Sequence, residues 1–249
     1  MPTLLLTPRQ VEDSRLLRSA AAAAGWEVER LQRWRYEGAP TPPVVVYGEP
    51  LFVEAVAQSL GLGLVQPALD WLAHLPEPYR AREVAFMTLA EARACSGPLF
   101  IKPADDKCFP AQVYAKGGTE LPLHEGLDEA TPTLISEPVR WEIELRCFVA
   151  DRQLRTSSVY SRDGELARAD DGSWPLSAEE RREADAFIAR LLADPAVQLP
   201  RAVVLDVGRI EGRGWAVVEL NPAYGSGIYG CEPREALEVI AKAFVSDPG

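Results

Sequence analysis

Several things are scarce in this sequence of 249 residues. It has two histidines, His74 and His124, and four widely spaced cysteines, Cys95, Cys108, Cys147 and Cys231. No C-x-x-C pair and no His/Cys cluster occurs, so a zinc-binding pattern is excluded and free thiols in a reducing cytoplasm are expected. No G-x-S-x-G, Walker loop or H-E-x-x-H is present, which leaves hydrolase triads, P-loop enzymes and zincins without support. Net positive charge is missing as well. The chain carries 37 acidic against 26 basic residues, a formal charge of -11. A general nucleic-acid coat or an anionic-membrane binder carries the opposite sign, so neither partner is expected. The first residues, MPTLLLTPRQVEDSR, lack the basic region and apolar core of a signal peptide. Uncharged stretches such as 19–26 and 56–69 are too short or too broken by Gly, Pro and Gln to span a bilayer.

Lysine is the most unevenly used residue. Only Lys102, Lys107, Lys116 and Lys242 occur, and three of these fall within 102–116 of a chain that otherwise uses arginine. An ammonium is a compact point charge suited to phosphate oxygens. Hydrophobic residues make up 47% and charged residues 25%, the balance of a folded globular chain rather than a disordered one.

Patterning divides the chain in two. Residues 3–6 and 44–47 read as short buried strands. Each precedes a helix: one capped by Asp13 or Ser14 and stopped by Gly25, the other spanning 49–60 and stopped by Gly61. This is a small α/β unit over 1–80. Residues 81–249 read differently, as strands at 83–87, 98–102, 112–116, 133–137, 141–149, 154–160, 202–207 and 215–221. Short helices open at Thr88 and at Pro233. A longer one opens at Ser177, where Glu180 completes a capping box. The class is α+β after an α/β start. In 141–149, Trp141, Ile143, Leu145, Cys147 and Val149 alternate with Glu142, Glu144, Arg146 and Phe148.

The sharpest polar constellation is Asp206 on one strand with Glu219 and Asn221 on its hairpin partner. Residues two apart share a face, so three oxygen-bearing groups converge, either as a solvated sheet face or as hard ligands for Mg²⁺. Asp and Asn are poor strand formers, which favours the metal. A glycine-rich stretch, PAYGSGIYG, follows at 222–230; it is either a surface turn or a loop whose amides approach a ligand. Lys102 ends an apolar strand, where it either reaches a phosphate or marks emergence into solvent. Glu142, Glu144 and Arg146 either face solvent or line a cleft.

Taken in order, PLFIKPADDK (98–107), TLISEPV (133–139), EIELRCFV (142–149), VVLDVG (203–208) and VVELNPAYGSG (217–227) resemble the ATP-grasp superfamily. The likeness covers roughly 80–245. It is nearest to the bacterial and phage branch named for one arginine and two lysines, and more distant to tubulin tyrosine ligase-like proteins. The resemblance implies an ATP-grasp fold, two α+β subdomains gripping ATP, with 1–80 as a pre-grasp domain. It implies that Lys102 contacts the α and β phosphates and that Lys116 or Lys107 is the second lysine. Glu137, Pro138 and Val139 would meet adenine, Glu144 or Glu142 would face the ribose, and Arg146 would hold the γ-phosphate or an acyl phosphate. Asp206, Glu219 and Asn221 would coordinate Mg²⁺. The activity implied is an ATP-dependent carboxylate–amine ligase acting through an acyl phosphate on an amino acid, peptide or protein terminus. A small-molecule kinase, or a nucleotide-binding module without catalysis, is the alternative. Tyr160, Arg162 and Tyr224 are candidates for the substrate side. The loop after Lys102 departs from the pattern in lacking glycine.

Overall fold

The computed structural model describes residues 1–105, 107–124 and 126–246. The first unit holds β1 (Thr3–Leu6), α1 (Glu12–Ala23), β2 (Glu27–Arg30), β3 (Val44–Tyr47), α2 (Pro50–Ser59) and β4 (Leu62–Leu64). Strands β2, β1 and β3 form a parallel sheet in that order. Strand β2, with the sequence EVER and no apolar run, escapes sequence patterning because it lies at an edge of this sheet. Two short helices follow, α3 (Trp71–His74) and α4 (Glu77–Arg80).

A second sheet is antiparallel in the order β5-β8-β6-β7. It comprises β5 (Val84–Thr88), β6 (Leu99–Pro103), β7 (Gln112–Tyr114) and β8 (Pro132–Ser136), with α5 (Leu89–Ala94) after β5. Strand β7 ends at Tyr114, short of the expected 116, so Lys116 stands before a 3-10 turn rather than on a strand. That turn sits tightly against α5: a Cβ on Gly118 would come within 1.8 Å of the Ala92 carbonyl oxygen.

The third sheet is antiparallel in the order β11-β10-β9-β12-β13. Its strands are β9 (Trp141–Ala150), β10 (Gln153–Arg162), β11 (Glu165–Leu166), β12 (Ala202–Ile210) and β13 (Gly214–Asn221), with α6 (Ala178–Ala193) between β11 and β12. Ile143, Leu145, Cys147 and Val149 share one core with Phe187, Ile188 and Leu191 of α6. Phe148, Ala150, Ala202 and Val204, on the other face, share the core of the first unit. The chain ends in α7 (Pro233–Ala241) and β14 (Phe244–Ser246). Both return to the first unit: β14 pairs antiparallel with β4, and Ala236, Leu237, Val239 and Ile240 join Leu4, Leu6 and Val45 in one core. The glycine-rich loop therefore lies between that unit and the third sheet.

The capping box of α6 forms as expected. Ser177 accepts from the Glu180 amide, and Glu180 accepts from the Ser177 amide and from Arg162. The Arg162 guanidinium holds the Glu180 carboxyl down to about 2 despite its burial. A carboxyl depressed in the folded state stabilises the fold above its unfolded value and loses that contribution as pH falls through the folded one. Stability on the order of 2 kcal/mol from this group is expected to vanish between roughly pH 4.5 and pH 2. Urea midpoints across that window should fall less steeply for Glu180→Gln than for the unsubstituted protein.

Candidate functional site

Three register shifts build the site. Val159 pairs with Leu145 and Ser161 with Glu144, so Tyr160 bulges from β10. Arg209 pairs with Ile143 and Ile210 with Trp141, which leaves Glu142 unpaired in β9. Asp206 pairs with Glu219 but Val207 with Val217, which leaves Val218 unpaired in β13. Bulges re-aim side chains, and strict alternation cannot foresee them. The Glu142 bulge corrects the expected faces. Glu142 does not join Glu144; its carboxylate accepts from Arg209 at 2.6 Å, and Arg209 in turn reaches Glu183 of α6. Trp141 likewise leaves the Ile143 face and lies beneath Gly208, where a Cβ would meet its ring at 2.7 Å.

Asp206 is fully buried and accepts two hydrogen bonds from Arg146, from Nε at 3.0 Å and Nη2 at 2.7 Å. Asn221 Nδ2 donates to Glu219 Oε1 at 2.9 Å and to Asp206 Oδ2 at 3.3 Å. Glu219 Oε2 pairs at 2.6 Å with Lys102, which arrives from the second sheet. Burial works against the Glu219 carboxylate, yet Lys102 and Asn221 more than offset it and hold its pKa at about 2. Burial raises the Asp206 carboxyl against the opposing pull of Arg146, with Glu219 and Glu144 adding to the rise.

This donor set fits Mg²⁺. One amide reaches both carboxylates, so Asp206, Glu219 and Asn221 lie within the span of a single hard-cation shell. Among the described residues no three His, Cys, Asp or Glu side chains come together as a metal site. The third ligand type here is an amide, which that combination leaves out.

Around Arg146 the surroundings are aromatic. Its Cζ lies 5.3 Å from the Tyr160 ring centre and 5.0 Å from that of Tyr229, and the two rings stack at 5.2 Å. The Tyr160 hydroxyl donates to Glu144 at 2.8 Å and Ser161 donates to its other oxygen at 2.9 Å. Tyr229 sits at φ 47°, a left-handed conformation that costs about 1 kcal/mol for a residue with a Cβ.

The remaining candidates are dispersed. Glu137 pairs with Arg213, and its amide donates to Glu83; Pro138 and Val139 form the half-buried link from β8 to β9. The Lys107 and Lys116 ammonium groups are exposed and have no partner among the described residues, while Asp106 in the same loop lies outside them. Of the substrate-side candidates only Tyr160 reaches the centre. Arg162 is committed to Glu180, and Tyr224 is fully buried with its hydroxyl accepting from Gln66.

Sequence reasoning missed Arg82, Asp13, Tyr47 and Tyr229. Arg82 is buried, stacks over Trp141 at 5.0 Å and donates to the carbonyls of Val217 and Val218, at the β13 bulge. Burial, with Arg80 adding to it, lowers its pKa to about 10. It thus braces the bulge that turns Glu219 and Asn221 toward Asp206. Asp13, expected as a helix cap, sits inside the first turn of α1, which starts at Glu12 behind Val11, and it faces the glycine-rich loop. A cluster of one-off long-range contacts has no local signature that could have flagged these residues.

The model of an ATP-grasp domain family, family 2 of the clade named for one arginine and two lysines, matches residues 79–239. No curated protein matches the sequence. Among solved structures, the RimK domain protein ATP-grasp from Sphaerobacter thermophilus is 17% identical, with a TM-score of 0.54 over 97% of this chain and 98% of that one. The D-cycloserine synthetase DcsG is 15% identical, with a TM-score of 0.54 over 97% of this chain and 99% of that one. At such identities the likeness is one of fold.

Proposed function

Because the chain belongs to this ATP-grasp domain family, the second of the one-arginine, two-lysine clade, and has the α+β ATP-grasp fold, we propose that it is an ATP-dependent carboxylate–amine ligase. The observation that carries the proposal is the meeting of Lys102 and Arg146, from two different sheets, on one Asp206–Glu219–Asn221 cluster. Cations and hard oxygen ligands gathered at one cluster suit a metal-bound triphosphate.

In this reading Lys102 leaves Glu219 to contact the α and β phosphates, and the exposed Lys107 or Lys116 supplies the second ammonium. Glu137, Pro138 and Val139 meet adenine. Glu144, oriented by Tyr160 and Ser161, faces the ribose; Glu142, turned toward α6, is not placed to do so. Asp206, Glu219 and Asn221 would hold Mg²⁺, which supplies charge neutralisation on the phosphates. Arg146 has donor hydrogens left after Asp206 and Gly227, and these meet the γ-phosphate. A substrate carboxylate oxygen attacks the γ-phosphorus, the bond to the ADP oxygen breaks, and an acyl phosphate forms. An amine nitrogen then attacks the acyl carbon, phosphate leaves with the electron pair, and the amine proton passes to solvent. The chain's contribution is positioning and fixed charge. An amino acid, a peptide or a protein terminus fits this chemistry.

Calorimetry with ATP, with and without Mg²⁺, followed by ADP-release screening of amino-acid and peptide pools, tests the proposal. Mg²⁺-dependent binding and ADP release coupled to amide formation are expected. A phosphorylated hydroxyl product without amide would select a kinase instead, and absence of ATP binding would remove both readings.

A further inference from the structure

Three successive residues of the glycine-rich loop are gripped from two sides. The Tyr47 hydroxyl, at the end of β3, donates to the Ser226 carbonyl at 3.0 Å. Arg146 Nη1 donates to the Gly227 carbonyl at 3.1 Å. The Ile228 amide donates to Asp13 Oδ2 at 3.2 Å, and the Tyr47 hydroxyl lies 3.4 Å from the same oxygen. The approach is close: a Cβ on Gly227 would stand 3.2 Å from Asp13 Oδ2 and 3.7 Å from Arg146 Nη1. Next in the chain, Tyr229 holds its left-handed backbone while its ring supports the same guanidinium.

We propose that Asp13 and Tyr47 are positioning residues for Arg146, acting through the 226–228 backbone from the first α/β unit. Asp206 fixes the plane of the guanidinium by its two bonds. The Gly227 carbonyl fixes the direction of Nη1, and that carbonyl is placed by the anchored groups on either side of it. Neither Asp13 nor Tyr47 touches nucleotide in this arrangement; they determine where the arginine's remaining donors point. The aim of a γ-phosphate contact thus depends on a unit that lies outside the two sheets gripping the triphosphate. The inference rests on the reading of Arg146 as the γ-phosphate ligand given above.

The readout is the ratio of ATP to ADP affinity in the presence of Mg²⁺, measured by calorimetry on the full chain. ADP lacks the γ-phosphate, so the ratio isolates the Arg146 contact from the rest of nucleotide binding. Arg146→Lys, the reference, should lose the preference for ATP. Asp13→Ala and the nearly isosteric Tyr47→Phe should each reduce it by about tenfold, the worth of one misaligned charge-assisted hydrogen bond, with ADP affinity unchanged. Asp13→Asn keeps an acceptor for the Ile228 amide and should restore most of the preference, which a role for the carboxylate charge would not. In a double-mutant cycle, Asp13→Ala should add little in the Arg146→Lys background. Melting curves establish that each variant is folded before it is titrated. Wild-type ratios in both Asp13→Ala and Tyr47→Phe, with Arg146→Lys still deficient, would overturn the positioning role and leave the nucleotide reading standing. An ATP preference that survives Arg146→Lys would overturn the γ-phosphate assignment and the inference together.

Discussion

Asp206→Ala is expected to abolish Mg²⁺-dependent ATP binding and to lower folding stability by about 3–5 kcal/mol. The reason for the second effect is Arg146. Its side chain is 10% exposed and spends two hydrogen bonds on the Asp206 carboxylate. Deleting that carboxylate leaves a buried cation whose remaining hydrogen bond goes to one carbonyl, with two aromatic rings beside it. A loss of that size takes a large share of a typical domain's total stability. Binding and folding must therefore be separated. Replacing both partners, with Arg146→Met and Asp206→Leu together, removes the unpaired charge and should recover much of the stability while binding stays absent. Urea unfolding followed by tryptophan fluorescence, beside calorimetry with ATP and Mg²⁺, measures both quantities. An Asp206→Ala variant with unchanged unfolding midpoint and unchanged Mg²⁺ dependence would sink the account of this pair.

Glu219→Gln is expected to bring about an inversion. Without a metal, an incoming triphosphate meets an ionised Glu219 carboxylate and finds Lys102 already paired to it at 2.6 Å. Glutamine removes the repelling charge and releases the lysine. Metal-free ATP should then bind about tenfold more tightly than to the unsubstituted protein, a modest figure for one charge in a partly screened site. The enhancement by Mg²⁺ should shrink at the same time, since a ligand has been lost. Titrations in chelator and in excess Mg²⁺ give the two affinities. Equal metal-free affinities in the two proteins would mean that Lys102 and Glu219 do not compete with the triphosphate.

Much of the architecture is legible in residue order. The alternation in 141–149 specifies which of Ile143, Leu145, Cys147 and Val149 face α6, because a strand's side-chain period is two and burial enforces it. Ser177 with Glu180, and Thr88 by itself, announce helix starts through hydrogen bonds that close within four residues. The antiparallel pairing of the two strands that carry Asp206 and Glu219 follows from a hairpin whose turn lies between them. These are local rules, or long-range consequences of a single period.

What alternation misses is where that period breaks. The unpaired Glu142, Tyr160 and Val218 each alter which face a neighbour presents, and each is decided by the strand alongside rather than by the residue's own identity. Hence Glu142 and Glu144 look equivalent in sequence and diverge in space. Asp13 has the composition of a helix cap, and only the packing of the glycine-rich loop against α1 gives it the Ile228 amide to bind. Arg82 reads as one more surface arginine until β13 places two carbonyls before it. Residue order alone carried the likeness to the family, the longer strands along the chain and the expectation that Asp206, Glu219 and Asn221 converge, with Arg146 and Lys102 joined to them by the resemblance. Which neighbours join that cluster was left to packing, because a bulge and a contact across more than two hundred residues are set by what lies beside a segment, not by the segment.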